Sequence, residues 1–259
     1  MAYRIALIGG GGVGKTTLAY AFSGHARKQG LETRVANLDP AAHRLPYAPC
    51  FDIRDYYSLR RVMREHKLGP GGGLKKIYAD FARNAAALRA FDAAAAACDW
   101  LLCDTAGSLE LFMLEGRASL LARIADAVLF VVDNEAAANE SDLLLLKALS
   151  ATQELKYARP TLCVINKSDL LEKKQKRNTR GARSARGNER APCGARLLAE
   201  FGESEARGSL SVVDDRLRQL LSEVGRRERV VQVSAWERTG LGVLADALHE
   251  LRCECGDSS

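Results

Sequence analysis

The chain has 259 residues, of which 47% are hydrophobic and 27% charged, and a formal net charge of +6 at pH 7. This composition excludes a disordered or fibrous chain, and seven cysteines without a C-x-x-C pair are typical of a cytosolic protein rather than a disulfide scaffold. No apolar run approaches membrane-spanning length and no charged leader precedes the first strand, so we expect one α/β domain over residues 1–259, located in the cytoplasm.

A glycine-rich loop follows the first predicted strand, residues 3–8. Residues 9–16 read Gly-Gly-Gly-Gly-Val-Gly-Lys-Thr and match the phosphate-loop pattern G-x-x-x-x-G-K-[ST]. In that pattern backbone N–H groups converge on the α- and β-phosphates, the lysine reaches the β/γ-oxygens and the hydroxyl binds Mg²⁺. A flexible glycine turn is the alternative, which the strand–loop–helix setting disfavours. The expected nucleotide ligands are Gly11, Gly12, Val13, Gly14, Lys15, Thr16 and Thr17, of which Lys15 also acts in catalysis and Thr16 on the metal.

Two later strand-like runs end on aspartate, at Asp39 and at Asp104. In a parallel sheet such ends lie beside the phosphate loop, so we expect Asp104 to hold Mg²⁺ through a water and Asp39 to polarise an attacking water. Gly107 follows Asp104 and can approach the γ-phosphate with its N–H, while Glu110 is a second candidate for orienting the water. For Asp39 and Glu110, a helix N-cap or a surface charge is an equal alternative.

A guanine-recognition motif follows the run 161–165. It reads Asn166-Lys167-Ser168-Asp169, and the carboxylate of Asp169 can accept two hydrogen bonds from the N1–H and N2–H₂ groups of guanine, a donor pair that adenine lacks. The aliphatic stem of Lys167 is expected along the base, and Asn166 is expected to join two loops. Downstream, Ser234 and Ala235 offer a backbone N–H for guanine O6. An ordinary strand-to-helix turn is the alternative reading of the first motif.

The whole pattern predicts an α/β fold with a mostly parallel sheet flanked by helices. Strands are predicted at residues 3–8, 34–38, 99–103, 127–132, 161–165 and 230–233, and helical patterns over 16–28, 74–97 and 241–251. Nucleotides bind at the carboxyl ends of such strands. Residues 41–97, which carry the run Gly-Pro-Gly-Gly-Gly, and residues 172–190 fit the alternation poorly and are predicted as insertions.

The second of these insertions carries the charge excess. Residues 172–190 contain eight basic and two acidic residues, an excess equal to the formal net charge of +6. A polar stretch without aromatic residues cannot bury a core, so we expect it to be disordered. A solvated loop is the simpler interpretation, and contact of residues 173–190 with RNA or an acidic protein partner is the alternative.

Further motifs make the chain resemble a known family, the GPN-loop GTPases of archaea and eukaryotes, and their single-subunit archaeal branch in particular. These motifs are Asn37-Leu38-Asp39-Pro40-Ala41-Ala42, Leu45-Pro46-Tyr47, Asp52-Ile53-Arg54-Asp55, Leu68-Gly69-Pro70-Gly71-Gly72-Gly73 and Cys253-Glu254-Cys255-Gly256-Asp257. The resemblance implies a phosphate-loop fold of the signal-recognition-particle and partitioning-ATPase class, with GTP hydrolysed to GDP. It also implies a homodimer in which each Gly-Pro-Asn loop, here Gly69, Pro70 and Gly71, reaches the partner's site. Eukaryotic members form heterodimers linked to RNA polymerase II assembly.

Two positions depart from the family pattern. Gly71 replaces the asparagine of Gly-Pro-Asn, and the family's Asp-Thr-Pro-Gly-Gln is here Asp104-Thr105-Ala106-Gly107-Ser108. Losing one well-placed donor to a transition state slows a reaction by about 10²–10³-fold. We therefore expect a GTP- and Mg²⁺-binding, dimeric switch with weakened hydrolysis. The alternative is a non-catalytic GTP-binding subunit or assembly scaffold.

Overall fold

The computed structural model describes residues 2–108, 118–134, 140–170 and 230–256. The strands are β1 Tyr3–Ile8, β2 Thr33–Leu38, β3 Phe51–Asp52, β4 Trp100–Thr105, β5 Ala127–Asp133, β6 Thr161–Asn166 and β7 Val230–Gln232. The helices are α1 Lys15–Lys28, α2 Leu59–Glu65, α3 Pro70–Phe81, α4 Ala85–Ala96, α5 Ala118–Ile124, α6 Glu140–Tyr157 and α7 Leu241–Gly256, with a 3₁₀ turn at Ile53–Asp55. Residues 172–190 and Glu110, named above, lie outside the described residues.

One sheet of seven parallel strands organises the molecule, in the order β3-β2-β4-β1-β5-β6-β7. The predicted α/β fold with a parallel sheet flanked by helices is confirmed. All six predicted strands are present, and β3 is an additional edge strand within residues 41–97. Because every strand points the same way, the ends of β1, β2, β4 and β6 meet at one edge of the sheet.

The five inner strands are buried on both faces, as parallel strands covered by helices are. Ile5 and Leu7 of β1 lie in one hydrophobic cluster, together with α1 and α7, while Ala6 and Ile8 lie in the other, together with α3, α4 and α5. This alternation follows from the two-residue period of a strand. The largest buried side chain, Trp100, stacks on Phe22 of α1 with ring centroids 5.8 Å apart.

Residues 70–96 form two helices, α3 and α4, where the sequence pattern predicted one over 74–97. The helix breaks because the Asn84 side chain accepts hydrogen bonds from the N–H groups of Ala86 and Ala87, both 3.1 Å, and so caps a new helix. Phe81 of α3 and Phe91 of α4 are buried beside Phe51 of β3. These contacts fix α3 against the sheet.

Pro70 begins helix α3, a position where its missing N–H costs nothing. The short helix α2 packs directly against α3 at Gly73, where there is no room for a side chain. A Cβ added to Gly73 would come within 2.8 Å of Leu59 and 2.9 Å of Met63. Within the described ranges, no helix is both long and apolar enough to cross a membrane.

Candidate nucleotide-binding site

The phosphate loop lies between β1 and α1, as the motif predicts. Gly12 and Gly14 adopt positive φ values of 78° and 92°, which glycine reaches without strain. The first turn of α1 carries no acidic residue, so its N–H groups and the positive end of the helix dipole remain available to an anion. The Lys15 ammonium folds onto the loop and donates to the carbonyl oxygens of Gly9, at 3.0 Å, and Gly10, at 2.8 Å.

Lys15 is a buried cation, with 6% of its surface exposed. Burial lowers the pKa of its ammonium, while the charges of Asp104 and Asp39 raise it in opposition. Asp39 and Asp104 lie at the carboxyl ends of β2 and β4, and Lys15 begins α1 after the loop that follows β1. The sequence prediction that these three residues meet is consistent with this arrangement.

Asp104 is almost fully buried, with 1% of its surface exposed. Its Oδ2 atom accepts a hydrogen bond of 2.7 Å from the Tyr47 hydroxyl, and its Oδ1 atom has no hydrogen-bond partner among the described residues. Burial raises the pKa of Asp104, against the hydrogen bond from Tyr47, the neighbouring Thr16 hydroxyl and the charge of Lys15. An orphaned buried carboxylate oxygen beside a threonine hydroxyl fits the oxygen ligands that Mg²⁺ prefers, directly or through water.

Asp39 lies in a turn just beyond β2 and is half-buried. Its Oδ1 atom accepts from the N–H of Ala41 at 2.8 Å, and its own N–H donates to the Asn37 side chain at 3.1 Å. These contacts cap the turn after β2, and no helix begins there, so Asp39 is not a helix N-cap. The charge of Asp39 nevertheless acts on Lys15 and Asp104, so the capping residue also borders the candidate site.

A polar network holds this turn in place. The Asn37 amide donates to Asp52 at 2.9 Å, and Arg54 both pairs with Asp52 and donates to the Ala42 carbonyl at 2.9 Å. Burial opposes the charge of Asp52, but the hydrogen bonds from Arg54 and Asn37 outweigh it and lower the pKa of this carboxyl. The segment after β2 is therefore clamped to β3.

Gly107 packs directly against the phosphate loop. A Cβ added at this position would lie 2.8 Å from Cα and 3.3 Å from N of Gly11. Just before it, the Thr105 hydroxyl donates to the Leu7 carbonyl of β1 at 2.6 Å. Residues 104–108, which are the end of β4 and the loop that follows it (the 104–108 loop), thus run alongside the phosphate loop.

Asn166 joins the guanine-recognition motif to the phosphate loop. Its amide donates to the Val13 carbonyl at 2.9 Å and its Oδ1 atom accepts from the Ala235 N–H at 3.1 Å. The sequence offered the N–H groups of Ser234 and Ala235 for guanine O6. In this structure the Ala235 N–H bonds Asn166 and the Ser234 N–H bonds the Thr239 carbonyl at 3.1 Å. Asp169, also buried, accepts a hydrogen bond of 2.7 Å from the Ser234 hydroxyl. Lys167 has a left-handed backbone, with φ 64°, and its Nζ atom lies 3.6 Å from Asp133.

Two tyrosines border this edge of the sheet without having been singled out as site residues from the sequence. Tyr47 bonds Asp104, and Tyr78 of α3 is fully buried with its hydroxyl bonded to Leu38 and Ala106. Tyr47 belongs to the family motif Leu45-Pro46-Tyr47, but that motif did not indicate what the tyrosine does. Tyr78 has no such signal, because it resembles any apolar residue on a buried helix face.

Comparisons with known proteins agree with this geometry. A family model described as "Conserved hypothetical ATP binding protein" matches residues 7–254. The curated protein "GPN-loop GTPase PAB0955" from Pyrococcus abyssi is 25% identical over 98% of this chain and 98% of its own length. The chain belongs to the GPN-loop GTPase family. The resemblance inferred from the motifs is confirmed.

Other members of the family match over shorter stretches. GPN-loop GTPase 1 of Schizosaccharomyces pombe is 29% identical over 172 residues, which are 64% of this chain and 47% of that protein, so the matched part spans about half of the yeast relative. The crystal structure of PAB0955 from Pyrococcus abyssi in its apo form superposes with a TM-score of 0.73 at 22% identity, covering 97% of this chain and 98% of that one. This superposition supports the fold.

The contact between Gly14 and Asn166 generates a stability prediction. A Cβ at Gly14 would need a positive φ and would lie 2.5 Å from the Asn166 amide nitrogen. We expect Gly14→Ala to lower the free energy of unfolding by about 1–3 kcal/mol. Gly24→Ala is the matched control, because Gly24 lies inside α1 with open space around it, and there alanine is expected to be neutral or stabilising. Urea unfolding of both variants tests this, and equal midpoints would contradict it.

Proposed function

We propose that the protein binds GTP and Mg²⁺, hydrolyses GTP to GDP and phosphate, and acts as a dimeric nucleotide-dependent switch. The observation that carries the proposal is the Asn166 side chain, which bonds the phosphate loop at Val13 and the 234–235 loop at Ala235. One residue thereby sets the distance between a phosphate-binding element and a base-binding element. Such a fixed distance is useful for a single ligand that occupies both, namely a nucleotide.

The base is proposed to be guanine, although the matching family model is described as ATP-binding. Asp169 is buried, and the Ser234 hydroxyl donates to its Oδ1 atom at 2.7 Å, which orients the carboxylate. Buried acceptors of this kind reject a base that cannot donate to them, because they are then left unpaired at a cost of about 1–3 kcal/mol. The curated relatives are GTPases by name, which points the same way.

Base choice is directly measurable by calorimetry. We expect the protein to bind GDP and GTP at least about tenfold more tightly than ADP and ATP, and Asp169→Asn to shift the preference toward xanthosine nucleotides. Asp246→Asn, an exposed aspartate on α7, is the control and should leave the base preference unchanged. Equal affinity of the parent protein for ATP and GTP would overturn the assignment of guanine.

Different residues are proposed to bind the phosphates, the metal ion and the attacking water. Lys15, now bonded to loop carbonyls, would exchange these partners for the β/γ-oxygens, which are stronger acceptors. Thr16 and Asp104 would hold Mg²⁺, which on binding neutralises phosphate charge. Gly107, against the phosphate loop, would present its N–H to the γ-phosphate, and Asp39 or Glu110 would orient the attacking water.

The hydrogen bond from Tyr47 to Asp104 leads to a prediction about Mg²⁺ affinity. Its hydroxyl is the donor that orients Asp104 through Oδ2, so Tyr47→Phe would leave that oxygen without a partner and the carboxylate free to turn. Loss of such an orienting hydrogen bond typically weakens metal affinity by about 10–100-fold. We therefore expect the Mg²⁺ affinity of the GDP-bound protein to fall by about 10–100-fold, measured by Mg²⁺ titration with a fluorescent GDP analogue. Tyr56→Phe, on a more exposed tyrosine that stacks on Phe51, should match the parent protein.

Slow turnover is proposed to follow from Gly71 and Ser108, which replace an asparagine and a glutamine of the family pattern. Gly71 is exposed in the first turn of α3, without a positive φ, and a Cβ added there meets nothing within 4 Å. Asparagine therefore fits at this position without strain. The loop Gly69, Pro70 and Gly71 is proposed as the element that reaches a partner chain, a second copy or a paralogue.

Restoring both amides tests this reason for slow turnover. Gly71→Asn with Ser108→Gln should raise single-turnover hydrolysis by about tenfold or more, with little change in GTP affinity, because neither residue belongs to the phosphate loop or the guanine motif. Gly71→Ala with Ser108→Ala is the control that changes backbone freedom without adding an amide. If the parent protein already hydrolyses GTP rapidly and the double variant is no faster, Gly71 and Ser108 do not limit hydrolysis.

A non-catalytic GTP-binding subunit is the second candidate, favoured by the same two substitutions. In such a subunit the protein would bind nucleotide and assemble a complex, for which the resemblance points to RNA polymerase as the type of client. Steady-state GTP turnover of the purified protein separates the two candidates. Contact of residues 173–190 with RNA or an acidic partner remains a separate prediction from the sequence.

A further inference from the structure

A single buried hydroxyl lies between three functional elements of the protein. Tyr78, on helix α3, has no exposed surface. Its hydroxyl donates to the Leu38 carbonyl at 2.6 Å and accepts from the Ala106 N–H at 3.2 Å. Leu38 immediately precedes Asp39 at the end of β2, and Ala106 immediately precedes Gly107.

The two hydrogen bonds of the Tyr78 hydroxyl differ in length, and the longer one is the more easily broken. The 2.6 Å bond to Leu38 ties Tyr78 to a central strand, whereas the 3.2 Å bond to Ala106 lies at the long end of the usual range. On the other side of Ala106, Thr105 is anchored to β1 by its own 2.6 Å bond to Leu7. Ala106 therefore sits between a fixed residue and Gly107, the residue proposed to meet the γ-phosphate.

The far end of α3 carries the Gly69-Pro70-Gly71 loop. Gly71 and Tyr78 are seven residues apart on one helix, which places them on the same helix face about 10 Å from each other. A helix is stiff over two turns, so a displacement at Tyr78 moves the first turn with it. Burial raises the pKa of Tyr78, so the hydroxyl stays protonated and keeps its donor role.

We propose that Tyr78 is a positioning residue that links the 104–108 loop to helix α3, so that the γ-phosphate sets the position of the Gly69-Pro70-Gly71 loop. The link depends on the N–H of Ala106, a position where the family pattern has proline, which has no N–H to donate. The substitution at 106 and the tyrosine at 78 therefore act as a pair in this chain. The inference rests on the proposed GTP-binding function.

Two variants each remove the hydrogen bond between Ala106 and Tyr78, one by removing the acceptor and the other by removing the donor. Tyr78→Phe keeps the aromatic packing and removes the hydroxyl, while Ala106→Pro removes the donor and keeps the Tyr78 bond to Leu38. If one variant fails to fold, the other still tests the link. The matched control is Tyr157→Phe, because Tyr157 is also a buried helical tyrosine but its hydroxyl has no hydrogen-bond partner among the described residues.

The measurement is amide hydrogen exchange of the first turns of α3, where the Gly73 N–H bonds the Gly69 carbonyl at 2.9 Å. Exchange is compared between the GDP-bound protein and the protein bound to a non-hydrolysable GTP analogue. In the parent and in Tyr157→Phe we expect about a fivefold difference in exchange rate between the two states, as one hydrogen bond typically gives. In Tyr78→Phe and in Ala106→Pro we expect that difference to disappear while both nucleotides still bind.

The outcomes separate this inference from the proposed function. A parent protein that binds neither nucleotide would overturn the proposed function and the link together. A parent that binds both, with no difference in exchange between the two states, would overturn the link alone. The same holds if the difference persists in both variants. A merely structural role of Tyr78 would change exchange equally in the two nucleotide states.

Discussion

The hydrogen bonds of one asparagine hold the candidate site together. Asn166, at the end of β6, reaches the phosphate loop through Val13 and the 234–235 loop through Ala235, over sequence separations of 153 and 69 residues. Gly14 must be glycine partly because the Asn166 amide occupies the space of its Cβ. Without this bridge the loops would be connected only through the sheet, and the spacing between phosphate and base elements would be free to vary.

Charge is the second constraint, because the site buries groups that favour water. Lys15, Asp104 and Asp39 share one region, and burial works against the charged forms of both Lys15 and Asp104. Buried charges are tolerated where they are paired and hydrogen-bonded. Here Lys15 is satisfied by the loop carbonyls and Asp104 only in part, by Tyr47. The cation proposed at Asp104 would pair with this carboxylate.

The segment 41–97 belongs to this edge of the sheet as well. Its strand β3 extends the sheet, its Tyr47 bonds Asp104, and its helix α3 places Tyr78 between β2 and the 104–108 loop. Aromatic contacts of Phe51 with Phe81 and Phe91 hold the segment in place. The part of the chain that departs most from regular alternation is thus packed against the residues proposed to carry the chemistry.

The sequence by itself determined the strands, the phosphate loop, the guanine motif and the family, because each depends on short-range spacing or on apolar runs that only a buried strand explains. Its errors were local: a single helix over 74–97, where the Asn84 cap divides two, and the missing two-residue strand β3, which is too short to give a period. Only the tertiary structure decided the hydrogen-bond partners of Tyr47 and Tyr78. Tyr47 and Asp104 are 57 residues apart and Tyr78 and Ala106 are 28 apart, and contacts over such distances depend on how the elements pack.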